Sequence, residues 1–219
     1  MKKKKEKNQL VKIENFLDRN DRLEKNTRTY EKIMFIYSTA MKELELKIET
    51  IKEEFKLFYD YELIDHVQTR IKTEESIVKK MQDKNLKITY KDMIENINDI
   101  AGIRIICPLK KDIFVIRDLL KNINGIVIEK EKDYVTKPKE SGYSSYHMIL
   151  NVPITLSQKK LYVKVEVQIR TMAMDFWASL EHKFKYKSKS KISKSKSKEL
   201  VAYAKIINKL DNKMMLLNK

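Results

Sequence analysis

The sequence predicts an α+β chain: a mixed β-sheet flanked by helices, with helical extensions toward its N- and C-terminal ends. Three observations carry this reading. All three glycines (Gly102, Gly125, Gly142) and all three prolines (Pro108, Pro138, Pro153) fall between positions 102 and 153, leaving two long flanks without a strong breaker. Those flanks carry apolar residues at steps of three and four, the period of a helix. Between them, short β-branched runs are bounded by turn residues, which is the signature of strands.

Taken in order, Ile33, Ile36, Tyr37, Ala40, Leu44, Ile48, Ile51 and Phe55 form one stripe of a long helix. A second helix is predicted over 69–83, with Ile71, Ile77, Val78 and Met81 inward. Arg70 and Lys72 would open that helix and Lys79 and Lys80 would continue its basic face. Free N–H groups at a helix start suit a phosphate, and Arg70 could instead stack on a base. The run Ile103-Arg104-Ile105-Ile106-Cys107 is β-branched and stopped by Pro108, so it reads as a strand. Ile113, Ile116, Leu119 and Leu120 repeat at helical spacing over 112–121, and the Asn124-Gly125 turn feeds a strand over 126–131. Two more strands follow, over 146–152 and 161–170. In the second, Val163, Val165, Val167 and Ile169 point one way while Lys164, Glu166, Gln168 and Arg170 point the other. A helix over 171–186 closes the block, and Trp177, at helical spacing from Phe176 and Leu180, reads as core. The Lys/Ser tract 183–198 reads as a solvated connector. A last amphipathic helix carries Leu200, Tyr203, Ala204, Ile207 and the apolar positions within 210–217.

A chain of 219 residues holds one domain of ordinary size with extensions, not two independent cores. Apolar residues at 42% suffice for a core, and charged residues at 36% require a densely charged surface. The formal net charge of +16 favours polyanionic partners: nucleotides, nucleic acid or an acidic membrane surface. Only seven of the 47 basic residues are Arg, so placement says more than the total, and Arg70, Arg104 and Arg170 stand beside other candidate residues. One cysteine, Cys107, and three scattered histidines give no intrachain disulfide and no zinc spacing, which fits a reducing cytoplasm. No apolar run approaches the ~20 residues that cross a bilayer. The basic start, Met1 to Lys7, is followed by a stretch containing Lys12, Glu14 and Asn15, unlike a signal peptide, so the chain is expected to be soluble and unexported.

Three clusters look like chemistry. In Asp99-Ile-Ala-Gly-Ile-Arg104 a carboxylate precedes a buried strand and a guanidinium lies within it, separated by a glycine that allows close approach. Segment 132–147 brings Lys132, Lys137, Lys139, Tyr134, Tyr143 and His147 around Pro138 and Gly142, a loop suited to phosphates and a stacked base. In the last strand, Glu166, Gln168 and Arg170 share one face at about 7 Å intervals. Asp99 and Glu166 could share a Mg²⁺ ion if their strands are neighbours, with phosphate oxygens and water completing its shell, which points to a nucleoside triphosphate. Asp175 and His182 read as packing or capping residues of the following helix.

In this order the three blocks resemble the RelA/SpoT synthetase family, most of all its small single-domain members, the small alarmone synthetases. The matching residues are Asp99-Ile-Ala-Gly-Ile-Arg; Lys-Asp-Tyr, Pro-Lys and Gly-Tyr-Ser-Ser-x-His; and Glu-Val-Gln-Ile-Arg-Thr with Met-Asp-Phe-Trp-Ala-Ser-Leu-Glu-His and Tyr-Lys. They span about 66–187, flanked by an N-terminal helical extension (1–65) and a connector with a C-terminal helix (188–219). No His-Asp hydrolase signature precedes them. Ser141 stands where members often have Asn, a difference that bears on acceptor affinity or on GTP versus GDP preference.

The resemblance implies a nucleotidyltransferase-like synthetase fold and a Mg²⁺-dependent GTP pyrophosphokinase of the stringent response. The β,γ-pyrophosphate of ATP would pass to the 3′-hydroxyl of GTP or GDP, giving pppGpp or ppGpp and AMP. Arg70 and Arg104 would sandwich adenine, and Lys72 and Lys80 would hold the ATP phosphates. Asp99 would bind Mg²⁺, and Glu166 would bind it too or activate the 3′-hydroxyl. Tyr143 would stack on guanine, with Lys132, Lys139, His147, Gln168 and Arg170 around the acceptor nucleotide. Members commonly form homotetramers through their flanking helices, and some respond to alarmone or single-stranded RNA. The competing reading is a catalytically idle RNA- or nucleotide-binding homologue, against which both carboxylates stand. A polymerase-type nucleotide transferase would require a Gly-Ser and paired-Asp signature, which is absent from the sequence.

Overall fold

The computed structural model describes residues 27–157, 159–187 and 194–217. The basic start and the stretch that follows it, weighed above against a signal peptide, therefore lie outside the described residues, as does 188–193 of the Lys/Ser tract.

The elements run α1 (Thr27–Tyr59), β1 (His66–Ile71), α2 (Glu74–Asp83), α3 (Tyr90–Asn96), β2 (Ala101–Cys107), α4 (Lys110–Asn122), β3 (Val127–Asp133), β4 (Tyr146–Leu156), β5 (Lys159–Thr171), α5 (Met172–Lys187) and α6 (Lys194–Leu217). The five strands form one sheet in the order β1-β2-β5-β4-β3. Among the described residues the β2–β5 pair is parallel, and β1–β2, β4–β5 and β3–β4 are antiparallel. The expected α+β class, with its mixed sheet and helical ends, is what the chain forms.

The alternation read in β5 decides which face is core. Val163, Val165, Val167 and Ile169 are all fully buried, against the stripe of α1 (Ile33, Ile36, Tyr37, Ala40, Leu44 and Ile48) and against Ile113, Ile116 and Leu120 of α4. Each such side chain contributes about 1.5–3 kcal/mol by leaving water. The opposite face of the sheet carries the polar row, and it is there that the site is built.

Two sequence expectations need correction. The helix predicted over 69–83 is two elements: His66–Ile71 is an edge strand on β2, and the helix starts only at Glu74. Thr73 is its N-cap, with a side chain that accepts the Ser76 N–H at 3.4 Å. Arg70 therefore sits on a strand, opposite Gly102, rather than at a helix start. The connector over 183–198 is also narrower than expected, because α5 continues through Lys187 and α6 begins at Lys194. On α6 the buried positions are Ala204 and Asp211, with Ile207 partly buried, while Tyr203, Leu210, Leu216 and Leu217 are exposed.

Candidate active site

Register places the polar side chains in rows across the sheet. Gln68, Arg104, Gln168, His147 and Lys132 are successive cross-strand neighbours from β1 to β3, and Arg70, Gly102 and Glu166 form the adjoining row. Cross-strand partners share a face, so residues up to a hundred positions apart in the chain line one surface. Gly102 lies between Arg70 and Glu166 with no side chain, leaving that point of the row open.

Asp99 lies just before β2. Its Oδ2 accepts hydrogen bonds from Lys80 Nζ at 2.7 Å and Lys72 Nζ at 2.9 Å, while Oδ1 is buried and has no partner. Burial alone would raise the carboxyl pKa, but the bonds and charges of the two lysines outweigh it and hold Asp99 below its ordinary value. Lys72 reaches this point because its backbone N–H extends the β1–β2 pairing to Ile100 O at 2.8 Å, and Lys80 arrives from α2.

Glu166 faces the same space from β5. Gln168 Nε2 donates to its Oε2 at 3.0 Å and His147 Nδ1 lies 3.5 Å from its Oε1. Burial and the negative charge of Asp99 push its pKa up, yet the His147 and Gln168 contacts leave it below the ordinary value. The charge of Asp99 is thus felt at Glu166, which lies on β5, the strand paired in parallel with the β2 that Asp99 precedes.

Two arginines lie on the same surface, on β1 and β2. Arg104 Nη1 donates to Gln68 Oε1 at 3.1 Å and lies 3.2 Å from Asp175 Oδ1, and its Nε is buried without a partner. Burial first, then the charge of Arg170, lowers its pKa, with a smaller effect in the same direction from Arg70. Arg70 is exposed and one row away on the neighbouring strand.

Beside the β3 and β4 ends of the rows lies the loop 134–145. Asp133 starts it by accepting the N–H groups of Val135 and Thr136. Gly142, at φ +89°, reverses the chain, with Gly142 N–H to Lys139 O at 2.8 Å and Lys139 N–H to Tyr143 O at 3.0 Å. The turn delivers Tyr143, whose hydroxyl is 2.8 Å from His147 Nε2 and accepts from Arg170 Nη2 at 2.5 Å. Lys139 Nζ lies 4.8 Å from the Tyr143 ring centroid and 4.7 Å from that of Tyr134. Lys132 is 6.0 Å from the Tyr134 ring, across from His147. Behind the loop a cavity of about 230 Å³ is lined by Pro138, Gly142, Ser144, Trp177 and Ala204 among others; neither carboxylate borders it.

Every site residue singled out from the sequence thus lies on this one surface or its rim, with Arg70 and Lys132 toward the two edges of the sheet. Sequence reasoning missed Gln68 and Ser145, which hold Arg104 and Arg170, and read Asp175 as packing or capping although its Oδ1 meets both of those arginines. The signal for the first of these is weak: of the alternate positions Val67, Thr69 and Ile71, only Val67 and Ile71 are apolar.

Comparison with known proteins accords with this geometry. Residues 69–191 match the family model described as a region found in RelA / SpoT proteins. The chain is 41% identical over 186 residues to GTP pyrophosphokinase YwaC of Bacillus subtilis, covering 85% of this chain and 89% of that one. Small alarmone synthetase 1 of Bacillus subtilis, solved with its product pppGpp, superposes with a TM-score of 0.80 at 31% identity, over 87% of this chain and 97% of that one. The same protein solved with AMPCPP gives a TM-score of 0.73 at 29% identity, over 87% and 96%. By matched length, identity and shared fold, this chain belongs to the RelA/SpoT family, among the small alarmone synthetases.

Proposed function

We propose that the protein is a (p)ppGpp synthetase, transferring the β,γ-pyrophosphate of ATP to the 3′-hydroxyl of GTP or GDP. The observation that supports the reading most is the placement of Asp99 just before β2 and Glu166 on β5, its parallel neighbour, each carboxylate held below its ordinary pKa, with Arg104 on β2 and the Tyr143–Arg170 contact on the same surface.

The residues present fit a magnesium ion. The unpartnered Oδ1 of Asp99 is a hard oxygen facing no protein donor, and Glu166 supplies the second carboxylate. Two protein carboxylates with phosphate oxygens and water form a typical Mg²⁺ shell. When bound, the ion would neutralise charge that builds on the phosphate oxygens during transfer.

The other steps belong to the chain. Arg70 and Arg104 accept adenine between their planar groups. Lys72 and Lys80, which share Asp99 in this structure, turn toward the triphosphate and reduce the repulsion between two anionic nucleotides. Tyr143 stacks on guanine, while Lys132, Lys139 and Arg170 face the acceptor phosphates. Glu166, kept ionised by His147 and Gln168, accepts the proton of the 3′-hydroxyl. That oxygen bonds to the β-phosphorus as the bond from the β-phosphorus to the bridging α,β-oxygen breaks, and AMP leaves. Most of the rate then comes from holding the two nucleotides in line.

The catalytic unit of this reading is 66–187, working in the cytoplasm within the stringent response. No helix among the described residues is long and apolar enough to cross a membrane. Exposed apolar side chains on α1 (Phe35, Leu46, Leu57, Phe58) and α6 (Ile206, Leu210, Leu216) are consistent with homotetramer assembly through the flanking helices. Single-stranded RNA is a further partner suggested by the charge. Purified protein incubated with Mg²⁺ and labelled ATP should convert GDP or GTP to the 3′-pyrophosphorylated nucleotide with release of AMP, and GMP serves as the comparison acceptor. Binding of nucleotide or RNA without product would favour the idle homologue.

A further inference from the structure

One carboxylate outside the proposed machinery touches both halves of the site. Asp175, in the first turn of α5, has its Oδ1 3.0 Å from Arg170 Nη1 and 3.2 Å from Arg104 Nη1. Arg170 is almost completely buried and also donates to Tyr143 at 2.5 Å, Gln168 at 2.6 Å and Ser145 at 3.3 Å. Arg104 is partly exposed, holds Gln68 and carries an unpartnered buried Nε. Two guanidinium groups this close repel one another, and Asp175 is the anion between them. The contacts form one chain: Arg104, Asp175, Arg170, then Tyr143 on one branch and Gln168 with Glu166 on the other.

We propose that Asp175 is a positioning residue shared by the two nucleotide pockets: one oxygen fixes the arginine of the donor base and the arginine that orients the acceptor's stacking tyrosine. The inference rests on the synthetase reading above and deepens it. Without the charge, Arg104 loses its anion and turns away from the donor base, while Arg170 loses one of its four partners and Tyr143 loosens with it. Both substrates then bind less well, although neither touches Asp175.

The test is steady-state kinetics of Asp175→Asn with ATP and GDP varied separately. The expected result is a rise of about 3- to 10-fold in both KM values, the range a half-buried charge-assisted contact carries, with a smaller change in kcat. A packing role would instead lower the melting temperature and leave the KM values alone. The decisive comparison is the Arg104→Gln background. There Asp175→Asn should add less than about 2-fold to the ATP KM, because its link to the donor is already gone, and still raise the GDP KM in full. Should Asp175→Asn fold poorly, Asp175→Glu keeps the charge but shifts it by a methylene, and both KM values should still rise. Unchanged KM values, a rise for one nucleotide alone, or an ATP effect that survives in the Arg104→Gln background would overturn the proposal. Wild-type protein that makes no product would defeat the synthetase reading instead, so the two failures are distinguishable.

Discussion

Replacing Gly142 by alanine tests how the C-terminal helix shapes the acceptor pocket. The new methyl would fall 2.4 Å from the Ala204 Cβ on α6, where two carbons rest at about 3.5–4.0 Å, so loop and helix must part by about 1 Å. The φ of +89° adds about 1–2 kcal/mol for a residue with a side chain. Tyr143 is the next residue, and its hydroxyl contacts of 2.5 and 2.8 Å would stretch beyond hydrogen-bond length under that displacement. Misplacement by 1 Å in a positioned site costs up to about 100-fold. We expect kcat/KM for GDP to fall about 10- to 100-fold, kcat/KM for ATP to change less than about 3-fold, and the melting temperature to drop by about 2–8 °C. The assay is initial-rate kinetics for each nucleotide beside thermal unfolding. Adding Ala204→Gly removes the colliding methyl but not the backbone strain, so it should restore most of the GDP kinetics while the melting temperature stays low. Wild-type acceptor kinetics in Gly142→Ala, or no recovery in the double variant, would refute the coupling between helix and loop.

Glu166→Gln and Asp99→Asn should each lower AMP release by about 10²–10⁴-fold with the fold intact, measured by product chromatography and circular dichroism; turnover near wild type in either would contradict the assigned chemistry. Asp211 on α6 is buried, accepts the Thr171 hydroxyl at 2.8 Å, and has a pKa raised chiefly by burial, which the Thr171 bond and Lys110 only partly offset. The folded state therefore binds its proton more tightly than the unfolded state, and stability is lost as pH rises from the ordinary carboxylate range through the raised value. Asp211→Asn should raise the melting temperature at pH 7, and the gain should vanish near about pH 3, where the carboxyl is protonated in both states. A gain independent of pH would show that charge is not the cause.

What could be read from the sequence followed from how strongly each segment signals its period. In β5 four buried residues alternate with four polar ones, so strand and face were both legible before any coordinates. The stripe of α1 was equally plain. β1 was not, because an edge strand of six residues with only Val67 and Ile71 apolar leaves little alternation, and Ile71 also falls in step with Ile77, Val78 and Met81 of the next helix. The N-cap Thr73, followed by Glu74 and Glu75, marks where that helix starts. The same limit hid Gln68. Asp99 and Glu166 stood out as a pair, because two carboxylates on neighbouring strands could share one hard cation. Asp175 did not, since a carboxylate in the first turn of a helix already has an ordinary explanation in the helix dipole. Which cations reach it is set by the parallel pairing of β2 with β5, and that register is a tertiary fact.

The central claim is a shared cation between residues 99 and 166, and the most direct measurement is a crystal grown with Mn²⁺ and AMPCPP. Anomalous density at coordination distance, about 2.0–2.3 Å, from carboxylate oxygens of both Asp99 and Glu166 is the expected result. Density bound by neither carboxylate, with nucleotide present, would contradict the account.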